Sequence, residues 1–548
     1  MKDFRTCMKG LAAMGRPLRG RILVSCVIGV FRIAASMAFV WVCKALVDIA
    51  TGESSEPLGL YVGLMIGIML AQVILSTAFS WWEGMIVTKT QNSFRAEVFG
   101  HVLANEWHGR EAFHSGDMVN RLEEDTRVVV DLLCVRVPDF IVTLVQLVAA
   151  SGFLFVLEPS LLWVLLILMP VAAIGSKMFF KTIRRLTSLI RAKDSEIQGH
   201  MQENLQQRVL VKTLGCEDRV LDRLDDLQGD VMGNTIRRLN YNAGARAFLR
   251  VGFMAGYAAA FLWGVFGIRS GAVTFGMMTA FLQLVGQVQR PIADISRHIP
   301  AFIHSLTSVE RLLELTDLEL EDKGGDILFD AAPGIRIDDV TFGYTDVPEG
   351  MEPQKVFEHF SYDFKPGTVT AIMGVTGVGK STLTRLVLAL LRPAEGSVTL
   401  YDGVRAVPAS PATRCNFRYV PQGNSLMSGT VRDNLLLANP SASEDEMKDA
   451  LHLAVADFVL ALPDGLDTVC SEKGSGLSEG QAQRIAIARA LLHSGGVLIL
   501  DEATSALDRE TEDELLRRLS QKVSGGKTIL WITHRESVTS IADAVLKI

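Results

Sequence analysis

Six apolar runs before residue 290 limit this chain to an architecture that is partly embedded in a membrane. A helix needs about 20 residues to cross the hydrocarbon core of a bilayer, and each run is close to that length or longer. The runs lie near residues 22–43, 59–82, 140–157, 161–180, 248–268 and 273–289. Because 548 residues exceed what one core can organise, the more polar remainder predicts a further domain.

The polar segments between these runs predict which side of the membrane they occupy. Short connections at 48–57, 158–160 and 269–272 alternate with long segments at 83–138 and 181–246. Basic residues crowd the N-terminus and the stretch 177–193, whereas the first short connection carries Glu53 and Glu56 but no Lys or Arg. Since basic residues favour the cytoplasmic side, we predict that both termini are cytoplasmic. The long segments are predicted to continue the spans as helices beyond the lipid.

Charge, cysteine spacing and the N-terminal run exclude other classes of protein. The formal net charge is -7, whereas a protein that binds nucleic acid needs a clustered basic surface, so no nucleic-acid partner is expected. Seven cysteines occur without a Cys-x-x-Cys pair, which argues against a zinc site and against a disulfide framework. The first apolar run continues past Trp41, too far for a signal peptide, and is interpreted as a retained span.

Residues 374–381, Gly-Val-Thr-Gly-Val-Gly-Lys-Ser, fit the phosphate-binding P-loop pattern. They follow an apolar strand at 369–373 and precede a predicted helix at 382–391, which is the context that the motif requires. In such a loop, backbone N–H groups surround phosphate oxygens, Lys380 reaches the β- and γ-phosphates, and Ser381 binds Mg²⁺. The alternative, a glycine-rich turn that arose by chance, is disfavoured by this strand and helix setting.

A second apolar strand, at 497–500, ends at Asp501 and Glu502. Ligands of open α/β sheets bind at the carboxyl ends of the strands, so both carboxylates are predicted to lie beside the phosphates. Without the P-loop, the simpler interpretation would be that two acidic residues merely cap a strand.

Residues 477–481, Leu-Ser-Glu-Gly-Gln, lie between the P-loop and the second strand. With them, the chain resembles the ATP-binding cassette exporters of the half-transporter type, over almost its whole length. The resemblance implies an all-α six-helix transmembrane domain at 1–320, a linker at 321–334 and an α/β P-loop ATPase domain at 335–548. Glu479 replaces a commoner glycine, and the chain stops at Ile548 where members usually continue with a strand, a turn and a helix. The catalytic residues are expected to be complete despite both departures.

The resemblance also implies the residues of the nucleotide site. The implied catalytic residues are Glu502, His534 and Lys380. The implied Mg²⁺ ligands are Ser381, Gln422 and Asp501. The implied ATP-binding residues are Tyr344, Gly374, Thr376, Gly377, Val378, Gly379, Lys380, Ser381, Thr382, Gln422, Ser478, Gly480, Gln481 and Asp508.

Several of these residues have specific roles in the family that the chain resembles. Glu502 is the base or positioner for the attacking water, and Tyr344 stacks on adenine, although an aromatic residue on an alternating strand is as often part of a core. Ser478 and Gly480 bind the γ-phosphate of a nucleotide that a second chain holds. Residues 113–125 resemble the first intracellular segment, which docks on the nucleotide domain; an ordinary turn and helix cap is the alternative.

The implied function is ATP-driven export of a hydrophobic, amphipathic, lipid or peptide substrate by an alternating-access dimer, with ATP and Mg²⁺ as cofactors. An ATP-gated channel or a regulatory membrane subunit is the alternative, whereas a soluble ATPase would lack the apolar runs. The expected partners are membrane lipid and a second half-transporter chain, with a homodimer favoured and a heterodimer left open. The expected location is the bacterial plasma (inner) membrane.

Arg32 lies midway along the first apolar run and is a candidate for substrate contact. Ionisable residues inside a membrane usually face a water-filled cavity or a partner, and a structural ion pair is the simpler alternative. If Arg32 lines a cavity, anionic or amphipathic cargo is expected. Gln283, Gln287 and Gln289 in the sixth run are similar candidates, with hydrogen bonds between helices as the alternative.

Overall fold

The computed structural model describes residues 4–107, 115–344, 355–375, 377–470, 476–523 and 526–548. The described residues of Met1–Gly100 and Gly116–Asp317 form one compact unit, and those of His101–Ser115 and Leu318–Ile548 form another. The first unit is built from helices and the second is α/β, which confirms the predicted fold class. The contiguous assignment of residues 1–320 to one domain stays a prediction, because residues 101–107 group with the α/β unit.

Ten helices are described before the linker, and each of the six predicted runs falls in a separate one of them. The helices are α1 (Phe4–Gly15), α2 (Arg19–Ala50), α3 (Leu58–Ala104), α4 (Ser115–Asn120), α5 (Thr126–Asp131), α6 (Val137–Leu157), α7 (Pro159–Gln206), α8 (Arg208–Leu214), α9 (Glu217–Arg269) and α10 (Phe275–Thr316). A 3₁₀ turn at Arg16–Leu18 and π-helical turns at Arg121–Asp125 and Leu132–Arg136 join neighbouring helices.

Four helical stretches in the described part of the chain are long and apolar enough to cross a membrane. They are Arg5–Ala50, Leu58–Ala104, Gly116–Leu157 and Glu217–Arg269. The predicted fourth and sixth runs lie in α7, which contributes the apolar piece Pro159–Leu168, and in α10. The total of six crossings therefore stays a prediction.

The long polar segments continue the apolar helices, as predicted. Helix α3 has 47 residues and α7 has 48. At 1.5 Å per residue each is about 70 Å long, more than twice the hydrocarbon thickness of a bilayer. Such helices extend well beyond the lipid.

The last turn of α3 and the residues after it, 101–107, form a segment that we call the α3 extension. Asn105 pairs with Leu320 in an isolated antiparallel bridge, and the backbone N–H of Glu106 donates to the carbonyl O of Glu319 at 2.7 Å. The Glu106 carboxylate forms a 2.6 Å ion pair with Arg392. The α3 extension is therefore joined by backbone contacts to the residues just before the predicted linker, and by a side-chain contact to Arg392.

The α/β unit contains eleven described strands and five described α-helices. The strands are β1 (Gly334–Gly343), β2 (Lys355–Phe364), β3 (Val369–Met373), β4 (Glu395–Tyr401), β5 (Ala406–Pro408), β6 (Phe417–Val420), β7 (Gly429–Thr430), β8 (Val469–Cys470), β9 (Val497–Asp501), β10 (Thr528–Ile532) and β11 (Ala544–Lys547). The helices are α11 (Lys380–Val387), α12 (Val431–Leu436), α13 (Glu444–Leu453), α14 (Glu479–Leu492) and α15 (Arg509–Val523).

These strands form a parallel sheet of five strands, an antiparallel sheet of four and a two-stranded ribbon. The parallel sheet has the order β11-β3-β10-β9-β6, and the antiparallel sheet has the order β2-β1-β4-β5. All five residues of β9 and of β10 are buried, which is why both read as continuous apolar runs. The nucleotide motifs follow the carboxyl ends of these central strands.

Candidate nucleotide site

Three neighbouring parallel strands bring the predicted nucleotide residues to one edge of the sheet. In the register of the sheet, Ile532 at the end of β10 pairs with Ile372 of β3 and with Asp501 of β9. The start of the P-loop, after β3, and the acidic pair Asp501 and Glu502, at the end of β9, therefore lie at the same edge of the sheet. His534 follows β10, the strand between β3 and β9. The carboxyl edge of such a sheet is where α/β proteins bind ligands.

The P-loop leads into α11 through two glycines in the left-handed region of backbone space. Gly377 has φ +88° and Gly379 has φ +114°, which residues with a Cβ rarely adopt. Lys380 is the first residue of α11, so the N–H groups of the first turn face the loop. Thr376, which was predicted to bind nucleotide, lies outside the described residues.

Helix α11 is shorter than predicted, because it ends at Val387 and not near residue 391. The Arg414 side chain donates to the carbonyl oxygens of Leu388 at 2.9 Å and Ala389 at 2.6 Å, which satisfies acceptors that a longer helix would bond internally. Ala389 itself has φ +50°, which no helical residue adopts. The predicted end of this helix was therefore wrong.

Lys380, His534 and Glu502 form a compact group at the sheet edge. Nζ of Lys380 donates to the carbonyl O of Gly374 at 2.8 Å and lies 2.7 Å from Nε2 of His534. The same Nε2 lies 3.1 Å from Oε1 of Glu502, and Nζ lies 3.9 Å from that oxygen. The structure thus brings together the three residues that were predicted to be catalytic.

The single nitrogen Nε2 of His534 cannot satisfy both of its charged neighbours. With a proton it donates to Glu502 but faces the ammonium of Lys380 as a second donor; without one it accepts from Lys380 but faces the carboxylate as a second acceptor. A phosphate oxygen between the lysine and the histidine accepts from both and removes the conflict. The group is therefore suited to receive an anion.

Gln422 completes the surroundings of the Glu502 carboxylate. It follows β6 by two residues, and its Nε2 donates to Oε2 of Glu502 at 2.7 Å. The two carboxylate oxygens of Glu502 thus have different partners, His534 on one side and Gln422 on the other. Because the amide nitrogen of Gln422 is directed at Glu502, its role as a Mg²⁺ ligand stays a prediction.

Glu502 occupies a strained backbone conformation. Its φ is +49°, in the left-handed region, and its N–H donates to the carbonyl O of Ile532 at 3.0 Å. A non-glycine residue held in this region costs about 1–3 kcal/mol, and such strain tends to occur at functional sites. The tight turn directs the side chain of Glu502 to the edge where the P-loop begins.

Asp501 is a buried carboxylate whose surroundings fit a Mg²⁺ ligand. It is 4% exposed, and its Oδ2 accepts from the hydroxyl of Tyr419 at 3.4 Å. Burial, and then the neighbouring Glu502 carboxylate, raise the pKa of Asp501 above its usual range, so a bound cation would favour the charged form. No group of three or more His, Cys, Asp or Glu side chains that could hold a metal ion occurs among the described residues.

Tyr344, predicted to stack on adenine, lies directly after β1 and against α11. Its hydroxyl lies 3.0 Å from Oγ1 of Thr382 and 3.3 Å from Nη1 of Arg385. The Arg385 guanidinium in turn lies 4.8 Å from the centre of the Trp107 ring, in the α3 extension. The tyrosine is thus held next to the helix that begins at the P-loop.

Ser478 and Gly480 lie at the start of α14. The Ser478 hydroxyl accepts from the backbone N–H of Gln481 at 3.2 Å, and the backbone N–H of Ser478 donates to Oε1 of Gln481 at 2.8 Å. This reciprocal pair is a capping box, which fixes the first turn of the helix. A Cβ on Gly480 would lie only 2.8 Å from the carbonyl O of Ala506, so the helix start is packed against the loop after β9.

The loop after β9 is fixed to α14 and to α15. Gln483, 1% exposed, donates to Oγ of Ser505 and accepts from the N–H of Ala506, both at 3.2 Å. Asp508 caps α15, because Oδ1 accepts from the N–H of Thr511 at 2.9 Å. The backbone N–H and the hydroxyl of Thr511 hold the pKa of Asp508 below its usual range.

The two halves of the predicted nucleotide site are separate within one chain. Across the described residues, Ser478, Gly480 and Gln481 form no hydrogen bond with the P-loop residues. Their backbone and hydroxyl groups are bonded within α14 or packed on the loop after β9. In the described part of one copy of the chain, the start of α14 is therefore packed against the loop after β9 and forms no hydrogen bond with the P-loop.

Three residues that support the site were missed in the sequence. Arg385 contacts Tyr344, Gln483 joins two loops, and Arg535 donates to the carbonyl oxygens of Ser505 at 3.0 Å and Leu507 at 2.9 Å. Their positions gave a weak signal, since Arg385 lies in the predicted P-loop helix and Arg535 directly follows His534. The contacts themselves join distant parts of the sequence.

Comparison with known proteins identifies related families and folds. The family description "ABC transporter transmembrane region" matches residues 22–292, and the description "ABC transporter" matches residues 357–505. An uncharacterized ABC transporter ATP-binding protein of Sinorhizobium fredii is 29% identical over 520 residues, covering 93% of this chain and 86% of that protein.

Two further relatives carry more specific descriptions. A putative multidrug export ATP-binding/permease protein of Bacillus subtilis is 26% identical and covers 98% of this chain and 94% of that protein. An ATP-dependent lipid A-core flippase of Desulfotalea psychrophila is 29% identical and covers 83% of this chain and 78% of that protein. The solved structure of a bacterial Atm1-family ABC exporter with ATP bound has a TM-score of 0.79 at 22% identity, covering 97% of this chain and 93% of that one.

Proposed function

The chain belongs to the ATP-binding cassette exporters, and we propose that two copies of it pair around ATP and use hydrolysis to export a substrate. The observation that carries this proposal is the separation of the P-loop from the start of α14 within one chain. Ser478 and Gly480 offer a hydroxyl, backbone N–H groups and a helix start, which suit a γ-phosphate. In an antiparallel pair, these groups of one copy reach the nucleotide on the P-loop of the other, so a homodimer has two complete sites.

Nucleotide binding is proposed to reorganise the group around Lys380. The P-loop N–H groups and the start of α11 receive the phosphates, and the Lys380 ammonium exchanges its contact with Gly374 for the β- and γ-phosphates. Tyr344 stacks on the base. Ser381 and Asp501 would hold Mg²⁺, with Gln422 beside them, and the bound ion would neutralise charge that develops on the phosphates.

Glu502 is proposed to position and deprotonate the attacking water. Its Oε2 is held by Gln422 at 2.7 Å and its Oε1 lies 3.1 Å from His534, so the carboxylate is oriented from both sides. General-base assistance of this kind contributes about 10²- to 10⁴-fold in rate. His534 would contact both the γ-phosphate and the Glu502 carboxylate.

Export requires that ATP favours one arrangement of the membrane helices over another. Moving a population from 1:99 to 99:1 requires about 5.5 kcal/mol of binding preference, which two nucleotides enclosed by two chains can supply. The multidrug and lipid descriptions of two relatives support amphipathic or lipid substrates. We place the protein in the bacterial plasma membrane with both termini cytoplasmic, because the basic N-terminus and the basic 177–193 stretch favour that side.

The test is the Glu502→Gln variant of the full chain in lipid nanodiscs. We expect steady-state ATP hydrolysis to fall by about 10²-fold or more, while ATP binding persists and the paired state accumulates. Glu510→Gln, the same exchange at an exposed position in α15, is the matched control and should hydrolyse ATP normally. Undiminished hydrolysis by Glu502→Gln would refute the role assigned to this carboxylate.

A further inference from the structure

A cavity of about 930 Å³ lies within the helical unit, between α2, α3, α6 and α10. This volume falls within the usual range for sites that bind small molecules, about 300–1,000 Å³. Arg32 and Ser36 of α2, Gln72 of α3, Asp139 and Gln146 of α6, and Gln287 of α10 are among the residues that line it. Apolar side chains, including Ile33, Met69 and Val142, line it as well. The wall is therefore amphipathic.

The uncharged polar groups of the cavity are largely engaged with one another. Nε2 of Gln287 donates to Oγ of Ser36 at 2.6 Å, and Nε2 of Gln146 donates to Oε1 of Gln287 at 3.3 Å. Nε2 of Gln72 donates to the backbone O of Ala35 at 3.1 Å. Gln287 thus forms the hydrogen bonds between helices that were the alternative interpretation of the glutamines in the sixth run. The charged groups of the cavity are then the ones left to select a ligand.

Arg32 and Asp139 are two opposite charges that lack direct partners in the described part of the chain. The Arg32 guanidinium lies 4.8 Å from the centre of the Phe79 ring, and within the described residues it forms neither a hydrogen bond nor an ion pair. The Asp139 carboxylate likewise has no hydrogen bond or ion pair there, and it lines the same cavity as Arg32 and His298. By contrast, Arg136 at the same cavity is bonded to Asp131 at 2.6 Å.

The described lining of the cavity carries charges of both signs. Arg136 is already paired with Asp131, and Asp294 has an interaction of its own, so Arg32 and Asp139 are the two charges left for a ligand. A purely anionic ligand would compensate Arg32 but remove water from Asp139 without compensating it, and a purely cationic ligand would do the reverse. A ligand that carries one charge of each sign compensates both.

We propose that this cavity binds a zwitterionic amphiphile, whose acid group is held by Arg32 and whose cationic group faces Asp139. The apolar side chains of the same wall take its hydrocarbon part. The inference rests on the proposed export function, since it names the class of substrate for that activity. Arg32 lines the cavity, the role for which the sequence made it a candidate, and the proposal narrows the expected cargo from anionic or amphipathic molecules to a zwitterionic amphiphile.

Equilibrium binding to the full, nucleotide-free chain tests this inference independently of ATP hydrolysis. The nanodiscs contain phosphatidylglycerol and a glycolipid but no zwitterionic lipid, and empty discs correct for partitioning. The radiolabelled probes share one tail: dodecylphosphocholine is zwitterionic, dodecyl methyl phosphate is anionic and dodecyltrimethylammonium is cationic. We expect the zwitterion to bind about tenfold more tightly than either ion, since each charge-assisted contact contributes about that much.

Variants that remove one charge of the cavity should lose the preference for the zwitterion, and each should come to prefer a different ion. Arg32→Gln should come to prefer the cation, Asp139→Asn should come to prefer the anion, and Arg32→Lys should keep the preference for the zwitterion. Arg269→Gln removes the same charge at the end of α9, outside the cavity, and should bind like the unaltered chain. Equal affinity for the three probes, or an order that neither neutralising variant changes, would overturn the proposal. Because no nucleotide is present, these outcomes are separate from the Glu502→Gln test.

Discussion

The negative charge of the buried Asp501 carboxylate destabilises the folded protein, although the same charge is proposed to hold Mg²⁺ at the nucleotide site. Burial, and then Glu502, raise the pKa of Asp501 in the folded protein. The protonated carboxyl group therefore stabilises the fold fully below the ordinary aspartate pKa, and this stabilisation is lost as the pH rises through the raised pKa. At neutral pH the ionised carboxylate therefore destabilises the protein. Asn at this position keeps an acceptor for the Tyr419 hydroxyl without the charge.

We therefore predict that Asp501→Asn melts at a higher temperature than the unaltered protein at pH 7 but loses Mg²⁺-dependent ATP binding. The gain in melting temperature should shrink as the pH falls toward the ordinary aspartate range, because the original carboxyl group then becomes protonated. Thermal unfolding of the full chain in detergent, with and without MgATP, measures both effects.

Asp508→Asn is the control, with the opposite sign. The Thr511 N–H and hydroxyl lower the pKa of Asp508, so its stabilising contribution is present above the ordinary pKa and is lost as the pH falls through the lowered value. That variant should melt at a lower temperature at pH 7. The same sign of change for both variants would contradict the electrostatic explanation.

The residues proposed for the nucleotide site could be predicted from the sequence because each belongs to a short motif next to an apolar strand. Lys380, Asp501 and Glu502 lie where those strands predicted them, at one sheet edge. The directions of their side chains could not be predicted, because they depend on contacts between motifs. Gln422, for example, bonds to Glu502, which is 80 residues away.

At the scale of elements, the helix start at α14 is coupled to the loop after β9. We predict that Gly480→Ala displaces this loop, since the added Cβ would lie 2.8 Å from the carbonyl O of Ala506. Overpacking of this kind costs about 1–3 kcal/mol. ATP hydrolysis should fall while ATP binding by the P-loop persists.

Filter binding of ATP and steady-state hydrolysis separate the two effects of Gly480→Ala. A Cβ on Gly495 would lie even closer to a backbone atom, the carbonyl O of Asn416, but outside the nucleotide site, so Gly495→Ala controls for general destabilisation. Normal hydrolysis in Gly480→Ala would show that the loop tolerates the added methyl group.

Helix α15 is joined to the segment after β10 by a buried charge. The Glu512 side chain is 2% exposed and its Oε2 accepts from Nη1 of Arg535 at 2.8 Å. We predict that Arg535→Met destabilises the protein by about 3–5 kcal/mol, because it leaves a buried carboxylate without its partner. Arg535→Met combined with Glu512→Leu should recover the part of this loss that the unpaired charge causes, as thermal unfolding would measure, whereas the hydrogen bonds of Arg535 to Ser505 and Leu507 stay lost. A double variant as unstable as the single one would argue against the charge as the cause.

The bounds of several elements could not be predicted because their causes lie elsewhere in the chain. Helix α11 ends early because Arg414 donates hydrogen bonds to the carbonyl oxygens of the two residues that follow the helix. Arg414 is itself held by Glu321 through two 2.7 Å hydrogen bonds. Four of the six apolar runs lie in described helical stretches that are long and apolar enough to cross a membrane. Hydropathy gives no signal for the point at which α3 and α7 leave the lipid. Helical patterning of the polar segments supplied that part of the prediction.

At the scale of the whole molecule, the proposed function requires that each nucleotide site combine two chains. We predict that Lys380→Ala and Ser478→Arg chains are each inactive alone but recover ATP hydrolysis when mixed. In a mixed pair, the intact P-loop of the Ser478→Arg chain meets the intact α14 start of the Lys380→Ala chain.

Mixing Lys380→Ala with Ser381→Ala chains is the control, because both defects then lie in P-loops and no site is complete. Hydrolysis is measured after the detergent-solubilised chains have exchanged partners. Mixtures of Lys380→Ala and Ser478→Arg chains that pair but stay inactive would contradict the composite site.

The α3 extension also determines how this molecule can be recombined with others. A fragment of the α/β unit that begins at Leu318 would leave the Glu319 carbonyl and the Arg392 guanidinium without Glu106, and Arg385 without Trp107. An ATPase domain transplanted from a relative would lack the same contacts, because the α3 extension that it then meets belongs to the chain that receives it. Successful chimaeras of this transporter therefore call for two grafts, one of them a peptide only seven residues long, from 101 to 107.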